Sequence, residues 1–294
     1  MVFKNTIKLL ITLFVYIWPL LIYFVLALSV TAAVTTVALL PLFHSGDALG
    51  EIFALAQRLI SGGTYLTFSE EFSAFLADVS DVFSQYVGGI RLAAFVGVLL
   101  GSRILFGMAE IPLVKRIDAY MSTTASYSFA GAYISSFFKS LLMQLFKSVM
   151  LLPFDLLMLL SFYGALRLGA LPGWRFAMPF LFVLIILFFL TVKNMFFGLW
   201  APCAVCGNMS VFRGLGANVK TVFSKNFFRI FSYHLISAIL TFAVFLFFGI
   251  FTLGIGLVLL IPISALYYKI LNTAMLYHFK QKRFYVDNST IVSF

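Results

Sequence analysis

One apolar stretch, residues 176–200, constrains the fold more than any other part of the chain. It contains a single charged side chain, Lys193, in about 25 residues. At a rise of 1.5 Å per residue, a helix of this length crosses a hydrocarbon core of about 30 Å. The stretch therefore predicts a membrane span, and the rest of the chain is interpreted with lipid as its main solvent.

The composition supports the same interpretation. Of the 294 residues, 63% are hydrophobic and only 10% are charged, whereas soluble domains carry about 25% charged residues. Lipid leaves only helices and closed barrels able to satisfy their backbone hydrogen bonds. The alternating segments of about ten residues that build a barrel are absent from the sequence. We therefore predict an all-α fold, a polytopic membrane helical bundle.

Six spans are predicted within a single membrane domain that covers residues 1–294. They are residues 16–42, 86–108, 146–166, 176–200, 230–250 and 257–277. The first apolar run is much longer than the 7–15 residues of a secretory signal, so we expect it to be retained as a span. Pro19 is predicted to separate a short interfacial piece from that span, because proline disrupts a helix interior. Ala93, Gly97 and Gly101 form a small-residue ridge that predicts close packing of the second span against another helix.

Three segments between spans are predicted to be helical and to lie at the membrane surface. Residues 44–85 form an acidic lobe in which two apolar helical stripes flank a glycine turn at Gly62 and Gly63. This pattern predicts an extracytoplasmic helical hairpin, which either caps the bundle or binds a protein partner. Residues 120–144, which are rich in Ser, Ala and Phe and carry Lys139, predict an interfacial helix. Residues 213–229 are basic and amphipathic, as is typical of helices in the headgroup plane.

The distribution of charge predicts the orientation of the chain. Basic clusters at the N-terminus and at 115–147, 213–229 and 280–283 fall on one side of a six-span chain, and the acidic lobe falls on the other. Because positive loops stay in the cytoplasm, both termini are predicted to be cytoplasmic, in a plasma membrane. Only the turn at 167–175, with two arginines, disagrees. The net charge of +10 then indicates contact with anionic headgroups of the inner leaflet and not with nucleic acid.

Polar side chains inside spans are the candidates for function, because each costs about 2.5–3.5 kcal/mol to insert. Measured from the predicted inner span ends, four charged residues lie at a similar depth and form one layer: Arg103, Asp155, Lys193 and Lys269. Asn194 and Asn272 are predicted to complete this layer, with Glu110 nearer to water. Arg103 and Asp155 are the natural ion pair.

Two interpretations of this layer stay open. In one, it forms a net-positive vestibule that faces the cytoplasm and receives an anion or a lipid phosphate. In the other, the lysines snorkel to the headgroups, and the pair between Arg103 and Asp155 only holds two spans together.

No catalytic, cofactor-binding or metal site is predicted. Cys203 and Cys206 form a single Cys-x-x-Cys pair, whereas a structural zinc site needs four ligands. The three histidines are scattered, and the common catalytic motifs are absent from the sequence. Three function classes remain: a non-enzymatic scaffold or accessory subunit in the cell envelope, which we favour, a small transporter or channel that uses the charged layer, and an intramembrane enzyme acting on lipid.

The second half of the chain also carries a family resemblance. Its marks are Trp200-Ala201-Pro202, a basic segment that ends in Lys225-Asn226-Phe227-Phe228, Pro262 in a paired span, and Tyr277 followed by Tyr285. On these marks, residues 120–290 resemble poorly characterised bacterial six-span integral membrane proteins related to the membrane domain of glycerophosphodiester phosphodiesterases. The resemblance implies the fold and cytoplasmic termini. It implies no catalytic residues, because the phosphodiesterase chemistry of those fusions belongs to a separate soluble domain.

Overall fold

The computed structural model describes residues 2–44, 81, 89–122, 128–169, 175–252, 254, 256–286 and 291–292. Over these residues the chain is all-α, which confirms the predicted fold class. The helices are α1 (Val2–Thr12), α2 (Ile17–His44), α3 (Gly89–Gly107), α4 (Glu110–Met121), α5 (Phe129–Gly169), α6 (Met178–Phe197), α7 (Trp200–Cys206), α8 (Val211–Val222), α9 (Phe227–Phe251) and α10 (Leu257–Phe279). Short 3-10 turns occupy Phe14–Tyr16 and Arg175–Ala177, and two short strands, Phe284–Tyr285 and Ile291–Val292, pair antiparallel near the end of the chain.

Five helical segments of the described chain are long and apolar enough to cross a membrane. They are Phe14–Val37, Phe129–Leu168, Met178–Cys206, Phe227–Phe251 and Leu257–Phe279. These segments correspond to five of the six predicted spans, so the protein is a multi-pass membrane protein. The remaining predicted span, 86–108, coincides with α3 but is not among the five. Large apolar side chains such as Phe138, Phe180 and Phe251 are exposed on the outer faces of the helices, as expected where the surroundings are lipid.

The N-terminal apolar run is divided, but the break precedes the proline. The chain leaves α1 at Thr12 and passes through the 3-10 turn before α2 begins at Ile17. Pro19 therefore lies in the first turn of α2, where its missing N–H removes no intrahelical hydrogen bond. The helix then continues through Pro41 and ends at His44.

A single helix, α5, occupies the region where an interfacial helix at 120–144 and a span at 146–166 were predicted. Its 41 residues run unbroken from Phe129 to Gly169 and include Pro153. Nothing between residues 139 and 147 terminates a helix, and neighbouring groups can satisfy the backbone around a proline within a membrane. At 1.5 Å per residue the helix is about 60 Å long, about twice the thickness of the hydrocarbon core.

The predicted surface helix at 213–229 is divided between two helices. It covers most of α8 and the start of α9, and the break falls at 223–226. Ser210 caps α8 by accepting a hydrogen bond from the backbone N–H of Arg213. One face of α8 is buried at Val211, Gly214, Asn218 and Val222. The opposite face exposes Phe212, Arg213, Val219 and Lys220, which is the amphipathic pattern that was predicted.

Two compact units make up the chain. The first comprises Met1–Leu26, Ile104–Phe154 and Leu187–Phe294, and the second comprises Ala27–Arg103 and Asp155–Ile186. In the first unit, α1 and α4 pack against α10, and α7 packs against α4 and α8. Trp200 is fully buried there, and its indole N–H donates to the carbonyl of Val211 over 2.8 Å.

Two predictions made for the region before α4 have different outcomes. An added Cβ at Gly97 or at Gly101 would meet no atom within 4 Å in the described part of the chain. The prediction that the ridge containing these glycines packs closely against another helix is therefore wrong for the described residues. The acidic lobe at 44–85 lies outside the described residues, apart from His44 and Asp81.

Candidate functional site

Glu110 is the first residue of α4, and its position follows from the turn before it. Helix α3 ends at Gly107, and Met108 and Ala109 turn the chain before α4 begins. This turn directs Glu110 into the first unit, where its side chain is only 5% exposed. The sequence predicted that Glu110 lies nearer to water. Its depth relative to Arg103 stays a prediction, but its enclosure was not predicted, because α4 is a separate helix packed against α10 and not an extension of the preceding span.

Three polar side chains from two other helices bind the Glu110 carboxylate. Lys147 Nζ lies 2.6 Å from Oε2, and Lys269 Nζ lies 2.5 Å from Oε1. Gln144 Nε2 donates to Oε2 over 2.9 Å. Because Gln144 and Lys147 belong to α5 and Lys269 belongs to α10, the carboxylate joins α4 to both helices. We refer to these four residues as the Glu110 cluster.

The electrostatics of the Glu110 cluster are dominated by its two lysines. Burial by itself raises the pKa of the Glu110 carboxyl, but Lys147 and Lys269 more than reverse this effect and lower the pKa to about 2. The carboxylate is therefore ionised throughout the physiological range. With both lysines charged, the Glu110 cluster carries one unit of excess positive charge. The lysine side chains are only 14% and 17% exposed.

A cavity of about 260 Å³ adjoins the Glu110 cluster within the first unit. Glu110 and Lys269 line it together with seven residues without charge, which come from α2, α3, α4, α10 and the turn before α4. They are Leu20, Phe24, Phe106, Gly107, Ala109, Leu113 and Ala265. A small group that entered this space would meet an apolar wall on most sides and an ion pair on one.

Arg103 and Asp155 form a separate ion pair in the second unit. Arg103 Nη2, on α3, lies 2.5 Å from Asp155 Oδ2, on α5. This is the pairing expected from the sequence. The two side chains are 33% and 27% exposed, so the pair is much less enclosed than the Glu110 cluster. Of the residues proposed to form one layer, the structure thus assigns Arg103 and Asp155 to one unit and Glu110 and Lys269 to the other.

The remaining predicted site residues belong to the first unit. Lys193 and Asn194 are partly buried on α6. Asn272 is fully buried on α10, and its side-chain amide has no hydrogen-bond partner in the described part of the chain. It packs against Gly198, where an added Cβ would lie 2.8 Å from Asn272 Nδ2. The unpaired amide of Asn272 is therefore not joined to the Glu110 cluster by a hydrogen bond among the described residues.

Gln144 and Lys147 were not predicted to be site residues. In the sequence, Lys147 is only the last residue of the basic cluster at 115–147. A usable signal was nevertheless present, because polar residues recur at every fourth position of α5: Ser136, Ser140, Gln144 and Ser148. All four are buried, on a helix whose other faces expose large apolar side chains. In lipid, a polar stripe of this kind indicates the face that contacts other helices.

The candidate metal and redox groups remain unassembled in the described residues. No group of three histidine, cysteine, aspartate or glutamate side chains in this part of the chain is placed to hold a metal ion. Cys203 and Cys206 are both free thiols. Comparison of the chain with protein-family models, with curated proteins and with solved structures finds no match.

Proposed function

We propose that this chain is a non-enzymatic integral membrane protein, a scaffold or accessory subunit in the cell envelope. In this proposal it resides in the plasma membrane with both termini in the cytoplasm. The supporting observation concerns the binding partners of three carboxylates, Glu110, Asp118 and Asp155. Each of these carboxylates binds a side chain of another helix. At these three positions, charge holds helices together.

The contacts of the three carboxylates support this assignment. Glu110 joins α4 to α5 and α10, and Asp118 Oδ1 accepts a hydrogen bond from the Tyr277 hydroxyl over 2.6 Å, which again joins α4 to α10. Asp155 joins α5 to α3. General acid–base catalysis needs a carboxyl group that can reach and exchange a proton with a substrate. These carboxylates are instead committed to partners within the fold, which favours a structural protein over an enzyme.

A second candidate function is a small transporter or channel for an anion or a lipid headgroup. The specific observation that favours it is the excess positive charge of the Glu110 cluster beside a cavity of about 260 Å³. Ionisable residues within membrane proteins often mark the path of a substrate. A phosphate group that approached Lys269 through this cavity would neutralise the excess charge.

The proposed scaffold also has proposed partners. The basic surfaces of the chain would meet anionic headgroups of the inner leaflet, and the acidic lobe at 44–85 would offer a surface to a protein partner. Kinship with the bacterial six-span proteins named above is part of the same proposal, and it rests on the residues quoted for the resemblance.

Phosphate flux in proteoliposomes tests the two functions against each other. We suggest comparing the wild-type protein with E110M/K147M/K269M, which removes all three charges of the Glu110 cluster while keeping side chains of similar size. R213Q/K220Q, which removes two exposed charges on α8, is the control. The scaffold proposal expects no flux above that of protein-free vesicles for any of the three proteins. Wild-type flux that is retained in the control and lost in a normally folded triple variant would overturn it in favour of the transporter.

A further inference from the structure

A second, apolar groove of about 310 Å³ lies between α1, α9 and α10 in the first unit. Nine of its twelve lining side chains are apolar, among them Phe3 and Ile7 on α1, Leu240 and Val244 on α9, and Ile263 on α10. Several of these side chains, including Ile7 and Leu240, are exposed on the outer surface. The groove therefore opens to the surroundings of the protein, and α9 and α10, which form two of its walls, are candidate spans.

The dimensions of the groove match a lipid chain. Its lining residues on α9 run from Ile236 to Phe245. At 1.5 Å per residue this distance is about 13 Å. The hydrocarbon of one leaflet is about 15 Å thick, half of the bilayer core. One acyl chain lying along the groove would thus be covered for most of its depth in the leaflet.

The edge of the groove where α1 meets the start of α9 is flanked by basic residues. The ring of Phe3 meets the ring of Tyr233 edge-on, with centroids 5.3 Å apart, so the start of α1 lies beside the first turns of α9. Lys4 follows Phe3, Lys8 lies one turn further along α1, and Arg229 lies one turn before Tyr233. All three basic side chains are exposed. We refer to Lys4, Lys8 and Arg229 as the basic rim. None of the residues lining the groove is acidic.

We propose that this groove binds one anionic phospholipid, with an acyl chain between α1, α9 and α10 and the phosphate at the basic rim. The charge of the basic rim selects an anionic headgroup over a zwitterionic one. The apolar walls hold the chain in place, so the lipid is retained and not merely attracted to the surface. This site is independent of whether the protein is a scaffold or a transporter, because it involves no member of the Glu110 cluster.

The basic face of α8 provides an internal comparison. Arg213 and Lys220 on α8, and Lys225 just beyond it, are also exposed and basic, but none of them belongs to α1, α9 or α10. These side chains contribute general attraction to an anionic surface. Removing the three rim charges and removing these three charges change the net charge equally, so the two variants separate a built site from general electrostatics.

The direct test uses the full-length wild-type protein in vesicles of phosphatidylcholine. Two probes are compared, phosphatidylglycerol and phosphatidylcholine, each with a photoactivatable diazirine in its acyl chain, and labelled peptides are mapped by mass spectrometry. We expect the phosphatidylglycerol probe to label the groove-lining residues of α9 and α10 at least about fivefold more strongly than the phosphatidylcholine probe. Equal labelling by both probes, or labelling by phosphatidylglycerol only outside the groove, would overturn the proposal.

Two matched variants then test the basic rim. A basic side chain beside a bound anionic headgroup contributes about fivefold in affinity, equivalent to about 1 kcal/mol, whereas the basic face of α8 meets a phosphatidylcholine surface without net charge. K4Q/K8Q/R229Q should therefore lose at least about fivefold of the phosphatidylglycerol labelling, and R213Q/K220Q/K225Q should lose less than about twofold. Equal losses in the two variants would contradict a built site. Thermal unfolding of both variants verifies that they fold. If one variant does not fold, the labelling pattern of the wild-type protein alone tests the proposed lipid site.

Discussion

The Glu110 cluster and the pair between Arg103 and Asp155 are both ion-pair sites between helices, but they differ in burial. Both place a carboxylate from one helix against a cation from another. In the Glu110 cluster one carboxylate that is 5% exposed serves two lysines, whereas Asp155 is 27% exposed and serves one arginine. A buried charge cannot be hydrated when its partner is removed, but a partly exposed charge can turn towards the membrane surface. Comparing the two sites therefore separates the effect of burial from the effect of pairing.

The largest effect is expected for E110Q. The substitution keeps the shape of the side chain but leaves Lys147 and Lys269 without a counter-charge. Removing one partner of a buried ion pair costs about 3–5 kcal/mol, and we expect a loss of stability of this size. Thermal unfolding in detergent can be followed with a thiol-reactive dye, because Cys203 is fully buried in the folded protein. D155N, which makes the same change of charge in the other site, is the matched control. If E110Q is no less stable than D155N, the contrast between the sites is wrong.

Acid should weaken the Glu110 cluster selectively. The pKa of the Glu110 carboxyl is about 2 in the folded protein, below its ordinary value of 4.5. A carboxyl with a lowered pKa in the folded state stabilises the protein fully above the ordinary value and loses that contribution as the pH falls towards the folded value. The stability conferred by Glu110 should therefore be constant above about pH 5 and decline between 4.5 and 2. Unfolding measured across this range should show a smaller decline for E110Q than for the wild type. An identical decline in both proteins would assign the acid sensitivity to other groups.

Two glycines of α3 allow a methyl group to be added beside the Glu110 cluster or away from it. A Cβ at Gly107 would overlap the side chain of Gln144, which donates to Glu110, whereas a Cβ at Gly101 would meet none of the described residues within 4 Å. Overpacking costs about 1–3 kcal/mol, so G107A should destabilise the protein by about this amount. G101A should be neutral, or stabilising by up to about 1 kcal/mol, because alanine favours a helix over glycine. Equal melting temperatures for the two variants would show that Gln144 is free to move away.

The smallest loss of stability among the charge substitutions is expected for D155N. Arg103 is 33% exposed and lies in the last turns of α3, so its guanidinium can reach the membrane surface by snorkelling. Exposed ion pairs contribute about 1 kcal/mol or less, and we expect D155N to lose no more than this. The same unfolding assay measures the loss. A loss as large as that of E110Q would show that Arg103 is as enclosed as the lysines of the Glu110 cluster.

Hydropathy predicted the architecture well because lipid restricts the chain to helices of a minimum length. The all-α fold follows from the apolar composition, and five predicted spans coincide with helices that are long and apolar enough to cross. Helix ends were predicted less well. The break after Thr12 precedes Pro19, and α5 continues through the region where two elements were expected, because neither feature leaves a strong mark in an almost uniformly apolar sequence.

The candidate site was predicted only in part, for a related reason. Spacing along a span gives the depth of a residue in the membrane, and depth alone suggested that Arg103 and Asp155 pair. It does not give the rotation of a helix about its axis, which decides that Lys147 and Lys269 meet Glu110. The turn at Met108 and Ala109 also moves Glu110 into a new helix. Sequence patterns that assume one continuous helix could not locate that carboxylate.

A double-mutant cycle between Glu110 and Lys269 tests most directly whether the buried carboxylate holds α4 to α10. The cycle compares the unfolding free energies of the wild type, E110Q, K269M and E110Q/K269M under identical detergent conditions. Residues in direct contact show interaction energies of about 0.5–3 kcal/mol. For this buried pair we predict a value in the upper half of that range. The double variant should lose less unfolding free energy than the sum of the losses of the two single variants. Additive losses, with no interaction energy, would contradict the account.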